Sequence, residues 1–335
     1  MKNLLKTLIP AVVLTVIFNS CGTTGPAYKA TKVLSIPYGE DPKSIGIFKF
    51  DENFYVPTDV VVDPSGNIYW MDKFNHRIIK FDKNGNFQYS LGGEGTEAGK
   101  LGDLRKIAVD SFGNCYAFDI KQTDNKTIGE IVKFGELGKT EIIAYVNHIV
   151  HKIEVDKQNN IYLYFLSGEE NEIWKISVYS PSGNLKKSIT LRTSDVPIQN
   201  LFADIDDLFV DPTTGNIYAL VSYYTETSGK AEHRLLYIYS PEAKDGLGGF
   251  VPYAKIENEK REPFAPTWDG KYLFWERLTD RRHRVFYYDL QQKMFLDFRN
   301  LIIDNKNWVK FFPGMDGNIY GIVQGLTRVT LYRFH

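Results

Sequence analysis

Short apolar runs separated by tight polar turns fill the chain from about residue 31 onward, and their alternation reads as strands rather than helical faces. The clearest set is Val60-Val61-Val62, Ile68-Tyr69-Trp70-Met71, Arg77 to Phe81 and Phe87 to Leu91. These runs are joined by Asp63 to Asn67, Asp72 to Asn75 and Asp82 to Asn86. Asp at the head of such a turn accepts bonds from its own downstream amides, while Gly and Asn tolerate positive φ. The pattern predicts four successive antiparallel strands with hairpin turns.

The unit repeats. Val62 to Tyr69, with Asp63, Gly66 and Asn67, returns as Val109 to Tyr116, Val155 to Tyr162 and, with one extra residue, Val210 to Tyr218. A late copy runs from Pro313 to Tyr320, and a degraded one from Trp268 to Leu273. Asp63 to Asp110 is 47 positions, Asp110 to Asp156 is 46, and Asp156 to Asp211 is 55. Six copies of a four-strand unit predict an all-β fold, a six-bladed β-propeller of four-stranded antiparallel blades, as one domain over residues 31–335. A β-sandwich of many short strands is the competing architecture, and the matched turn at blade-length intervals argues against it. The sixth unit ends one strand short, at Val329 to Phe334, and the otherwise idle run Thr31 to Ile36 is expected to complete it.

Composition adds a location. The chain has 40 Lys plus Arg against 41 Asp plus Glu, a net charge of -1, which recruits neither nucleic acid nor an anionic membrane at long range. Lys2 and Lys6 precede the apolar run Leu8 to Phe18, so residues 1–20 read as an export signal, too short to span a bilayer comfortably. Phe18-Asn19-Ser20-Cys21 resembles the lipobox of bacterial lipoproteins, in the looser form found in spirochaetes, which implies acylation of Cys21. Residues 21–30 then form a flexible tether, and the protein is expected at the bacterial cell envelope, on the outer membrane or periplasmic face. Cys115, the remaining cysteine, falls in a strand and reads as a small buried apolar residue.

Val-Asp-x-x-Gly-Asn-Ile-Tyr followed by Arg-Ile-x-Lys-Phe-Asp-x-x-Gly, clearest in Val62 to Phe87, resembles the NHL repeat. That resemblance implies a six-bladed propeller of a group whose members mostly bind proteins, some binding RNA, glycans or small ligands. Related propellers include calcium-dependent lactonases and a zinc-dependent peptide-amidating lyase. Of the six His, only His148 and His151 fall just before an inner strand, and both belong to the third blade, which does not build a multi-blade zinc site.

The irregular loops carry the functional expectation. Loops entering each inner strand, and loops joining second and third strands, gather on one face around the channel mouth. Candidate binding residues there are Asp72, Arg105, Asp119, His151, Asp206, Tyr223, Tyr224, Arg277 and Lys310. The long insertion Tyr223 to Arg234 is the expected specificity element. The leading expectation is a non-catalytic propeller that binds a protein or glycan partner of the envelope or exterior, with no cofactor. The alternative is a calcium-type hydrolase or lyase with channel carboxylates drawn from Asp59, Asp119, Asp204, Asp206 and Asp207. No P-loop, Gly-x-Ser-x-Gly elbow or His-Glu-x-x-His is present.

Overall fold

The computed structural model describes residues 27–50, 53–95, 99–123, 126–135, 139–166, 172–196, 203–224, 231–243, 248–256, 261–279, 282–302 and 308–335. The expected export signal (residues 1–20), the lipidation residue Cys21 and the tether up to residue 26 lie outside the described residues.

Among the described residues twenty-four of the strands make six blades, each ordered from the axis outward in chain order except that β1 is the outermost strand of blade 6. Blade 1 is β4 (Val60–Val62), β5 (Ile68–Asp72), β6 (Arg77–Phe81) and β7 (Phe87–Gly92); blade 2 is β8 (Asp103–Val109), β9 (Cys115–Thr123), β10 (Lys126–Phe134) and β11 (Thr140–Val146). Blade 3 is β12 (Lys152–Val155), β13 (Ile161–Leu166), β14 (Glu172–Tyr179) and β15 (Leu185–Arg192). Blade 4 is β16 (Ala203–Val210), β17 (Ile217–Tyr224), β18 (Ala231–Ser240) and β19 (Gly249–Ile256). Blade 5 is β20 (Glu262–Pro266), β21 (Lys271–Thr279), β22 (Arg282–Asp289) and β23 (Met294–Ile302). Blade 6 has β24 (Trp308–Pro313), β25 (Ile319–Gln324) and β26 (Arg328–Phe334), and β1 (Ala27–Pro37) is its fourth strand.

That closing strand does more than expected. It starts at Ala27, ahead of Thr31, and pairs antiparallel with β26 from Ala30↔Phe334 to Pro37↔Arg328. Its first residues pair parallel with β23, Ala27↔Asn300 to Lys29↔Ile302, so blades 5 and 6 form one eight-stranded sheet. Leu34 and Ile36 enter the core between blades 6 and 1, while Tyr28 and Ala30 pack against the core between blades 5 and 6.

The turns form as the sequence requires. Asp63 Oδ1 accepts from the amides of Ser65 at 2.9 Å and Asn67 at 2.8 Å, and Asn67 Nδ2 donates to Oδ2 at 2.8 Å. The same bonds recur at Asp110 and Asp156. Between successive blades lie six apolar clusters, one per interface, and these are the core. Cys115 is fully enclosed in the one between blades 1 and 2, where burial pushes its thiol well above the ordinary range.

Three local expectations are corrected. The sequence expectation places the loops entering the inner strands at Leu104 to Lys106, Asp204 to Asp207, Pro263 to Thr267 and Trp308 to Lys310, but these residues, Thr267 apart, lie within β8, β16, β20 and β24. Blade 5, where the sequence shows only the runs Tyr272 to Trp275 and Val285 to Asp289, has all four strands. The connection from Tyr38 to Asn53 leads into a two-stranded hairpin, β2 (Phe48–Phe50) and β3 (Asn53–Tyr55), which stands ahead of blade 1.

Candidate functional site

The six first strands converge on the axis and enclose a channel cavity of about 250 Å³, with residues of β4, β8, β12, β16, β20 and β24 on its wall. Its lining is mostly apolar, with Val the commonest residue and Glu154 the one ionisable group. Charge gathers where the inner strands begin. Lys310 Nζ lies 3.1 Å and Lys106 Nζ 3.6 Å from Asp59, so one carboxylate serves two ammonium groups from blades 6 and 2. Across the mouth the ratio inverts: Lys152 Nζ sits 2.9 Å from both Glu154 and Asp207. Tyr164 donates to Glu154 at 2.7 Å and Tyr272 to Asp207 at 3.2 Å, completing a network that ties blades 3, 4 and 5. Burial opposes the Lys152 charge, but Asp207 and Glu154 outweigh it and hold the ammonium well above its ordinary pKa.

Beside this collar, a groove of about 490 Å³ runs over the mouth ends of blades 1 to 3, lined by Pro57, Asp59, Lys73, Arg105, Ile149 and His151 among others. Asp103 pairs with both Lys73, at 3.1 Å, and Arg105. Four cations thus share two carboxylates across the groove and the adjoining mouth, which leaves a local positive excess. Next to blade 1, Phe48 and Tyr55 of the β2–β3 hairpin are 50% and 57% exposed, and Phe48 stacks on Phe74 with ring centroids 6.0 Å apart. On the blade 3 side, Ile149 is 62% exposed.

Of the sequence candidates, Arg105 and His151 line this groove, and His151 and Lys310 also line the channel mouth. The His151 ring meets Trp174 edge-on at 5.7 Å. Asp72 and Asp119 are different: both are fully enclosed and cannot meet a partner. Asp72 accepts from Gly46 N at 2.8 Å, Asn75 Nδ2 at 2.7 Å and Arg77 Nε at 2.8 Å, which clamps the connection leading to the hairpin. Asp119 takes the amide of Gly102 on both oxygens. Asp206 accepts from the Ser222 hydroxyl and, at 3.3 Å, from Arg234. Tyr223 is half-buried, its hydroxyl 2.8 Å from that of Tyr237 and its ring stacked on His233 at 4.9 Å; Tyr224 beside it is also half-buried. Arg277 is exposed at the mouth end of β21. Residues 225–230 of the expected specificity insertion lie outside the described residues.

The carboxylates of the calcium alternative do not converge. Asp59 and Asp207 face lysines, Asp119 and Asp206 are committed to Gly102 and Arg234, and Asp204 is exposed. Among the described residues no group of three or more His, Cys, Asp or Glu is placed to hold a metal. The hairpin residues Phe48 and Tyr55 were missed in the sequence, although the alternation Phe48, Phe50 before Asn53 was a signal for it.

Burial pushes the Asp119 carboxyl up, despite the Gly102 amide. A carboxyl raised in the folded state stabilises the fold fully below its ordinary pKa, and that contribution is lost as pH rises through the folded value. Asp119→Asn is therefore expected to be no less stable than wild type at pH 7, with wild type gaining on it as pH falls towards 4. Urea unfolding of both proteins across that range checks the sign.

The comparisons with known proteins agree with this architecture and stop there. The chain matches no protein-family model and no curated protein sequence. Among solved structures, an oxidoreductase from Thermus thermophilus described as a glucose dehydrogenase aligns over 92% of this chain and 100% of its own, with 12% identity and a TM-score of 0.51. A protein from Bacteroides fragilis described as exported aligns over 91% and 99%, with 10% identity and a TM-score of 0.46. A gluconolactonase from Xanthomonas campestris aligns over 91% and 99%, with 11% identity and a TM-score of 0.43. The likeness is one of fold. Such scaffolds host unrelated activities, so function has to be argued from this chain's own surfaces. Among the described residues no helix is long and apolar enough to cross a membrane.

Proposed function

We propose that this protein is a non-catalytic propeller, lipid-anchored in the bacterial cell envelope through Cys21, that captures an acidic segment of a partner protein in the groove over blades 1 to 3. The observation that carries the reading is the pairing of a cationic floor, where Lys73, Arg105, Lys106 and Lys310 share Asp59 and Asp103, with the exposed apolar residues Phe48, Tyr55 and Ile149. A surplus of cations steers an acidic chain, and exposed aromatic and aliphatic anchors supply the affinity that surface charge does not. An apolar rim of this kind favours polypeptide over a hydrated glycan. The NHL-like repeats are consistent with it, since that group mostly binds proteins. From Cys21 to Ala27 is six Cα steps, at most about 3.3–3.6 Å each, so an acylated Cys21 would hold the rim at blades 5 and 6 within roughly 20 Å of the bilayer.

The test is cross-linked capture of envelope proteins by the full chain, with wild type against Arg105→Glu/Lys106→Glu. The charge-reversed protein is expected to keep its melting temperature and to recover at least about tenfold less of the partner, and wild-type capture should weaken with salt. Undiminished capture by that variant would remove the groove from the proposal. In the same cells Cys21→Ser should shift the protein from the membrane to the soluble fraction; membrane retention would remove the anchor.

A further inference from the structure

The first hairpin of every blade has one register position whose side chain faces the next blade, and in five of the six it is a tyrosine. The position pairs with Val61, Ala108, Glu154, Phe209 and Phe312 in blades 1, 2, 3, 4 and 6, and is occupied by Tyr69, Tyr116, Tyr162, Tyr218 and Tyr320. Each of these rings is buried. In blades 1 and 3 the hydroxyl reaches the neighbouring turn: Tyr69 donates to Gly113 O at 2.8 Å, and a Cβ added at Gly113 or Gly215 would meet the Tyr69 or Tyr162 hydroxyl at 3.1 or 3.3 Å, while Tyr116, Tyr162 and Tyr320 donate to the Asp of their own turn. In blade 5 the same position, paired with Ala265, is Leu273.

Leucine is too short to reach the turn of blade 6. A Cβ added at Gly317 would meet nothing within 4 Å, unlike one added at the other described turn glycines, Gly66, Gly113, Gly215 and Gly270. The space left is a cavity of about 450 Å³ between blades 5 and 6, on the face opposite the channel mouth, with Leu273 and Gly317 on its wall. That size is ordinary for a small-molecule site.

We infer that this cavity binds a neutral sugar of mono- or disaccharide size. Its apolar surfaces are Trp268, Tyr287, Leu296 and Met315, and its charged groups are two carboxylates, Asp269 and Asp316, and two cations, Lys271 and Arg299. The Asp269 side chain is 59% exposed; besides the Lys271 ammonium it accepts from Thr267 Oγ1 at 2.6 Å, which leaves lone pairs for a ligand. Arg299 is held 5.1 Å from the Tyr287 ring centroid and donates to Gly317 O at 3.4 Å, so its fork stands at the cavity edge. Carboxylates only accept and guanidinium only donates, whereas a sugar hydroxyl does both and can bridge them. The balanced charge gives no advantage to a phosphate or carboxylate ligand. Aromatic faces match the C–H face of a pyranose, and the polar groups match its hydroxyl edge. This site is on the other face from the groove and does not rest on the function proposed for it.

The experiment titrates the full chain with maltose, cellobiose and N,N′-diacetylchitobiose by saturation-transfer NMR and calorimetry. Glucuronate and glucose 6-phosphate serve as charged counterparts. At least one neutral sugar is expected to bind at or below about 10 mM, with Trp268→Ala and Asp269→Ala each weakening it by about tenfold or more. Leu273→Tyr, which refills the cavity with the residue the other blades use, should abolish binding without lowering the melting temperature. Arg105→Glu/Lys106→Glu should leave sugar binding unchanged. The inference is overturned if none of the three sugars binds by about 10 mM, or if a charged counterpart binds about tenfold more tightly than all of them. It is equally overturned if binding survives Trp268→Ala and Asp269→Ala, a pair that keeps the test decisive should Leu273→Tyr fail to fold.

Discussion

Removing residues 27–37 is expected to open the ring and leave a protein that aggregates or self-associates instead of folding as a monomer. The strand contributes Leu34 and Ile36, 5% and 2% exposed, to the core between blades 6 and 1. Losing a buried aliphatic side chain of that size costs about 2–5 kcal/mol. Two such losses approach the whole stability of a typical domain, about 5–15 kcal/mol. The deletion also bares two strand edges at once, that of β26 and that of β23, because β1 pairs with both. Bare edges are templates for pairing with other chains. Light scattering and thermal unfolding of the truncated protein check this, and a synthetic peptide of residues 27–37 should restore the monomer. A monomeric truncation melting within a few degrees of wild type would show that the ring holds without its closing strand.

The second large effect is expected at Asp156. Its carboxylate is 1% exposed and accepts four bonds: from Gln158 N at 2.9 Å, Asn160 N at 2.8 Å, Asn160 Nδ2 at 2.7 Å and Tyr162 Oη at 2.9 Å. Asp156→Ala strands those donors in a site closed over by blade 4, where Lys157 N also bonds Pro212 O at 2.9 Å. A buried donor left unmade costs about 1–3 kcal/mol, and partial relaxation of the turn brings the total to about 3–5 kcal/mol. Asp82 gives the internal control. It makes the same turn bonds, to Asn84 N, Asn86 N and Asn86 Nδ2, but it is open to solvent. Water replaces the lost acceptor there, so Asp82→Ala should lower the melting temperature far less. Equal losses in the two variants would mean that turn conformation, rather than burial of the donors, sets the cost.

The repeat and its one lapse therefore have separate consequences. Where the Tyr of the repeat is present its ring is buried against the next blade, and its hydroxyl bonds the neighbouring turn at Tyr69 or the Asp of its own turn at Tyr116, Tyr162 and Tyr320. Where blade 5 substitutes Leu273 the face away from the mouth opens, and Trp268, which stands at the head of the degraded turn, becomes wall to both that cavity and the channel. Both surfaces proposed above lie where the repeat is interrupted: the hairpin inserted ahead of blade 1, and the missing Tyr of blade 5.

Strands and turns were legible because their causes are local. Asp63, Gly66 and Asn67 specify a turn through bonds within five residues, and alternation in runs such as Arg77 to Phe81 needs no knowledge of what lies opposite. Counting strands also determined the closure, since six units lacking one strand leave an edge that one further run must cover, and β1 covers it. The first and last strands of blade 5 were not legible. Glu262–Pro266 holds two prolines, and Met294–Ile302 mixes Asp297, Arg299 and Asn300 among its apolar residues, so neighbouring strands and not local preference make them extended. Nor could the sequence separate Asp72 and Asp119, enclosed by Gly46 and Gly102, from Arg105 and Lys310, which reach the mouth. A carboxylate's exposure is set by backbone brought from elsewhere in the chain, 26 positions away for Asp72, and only the packed ring brings it there.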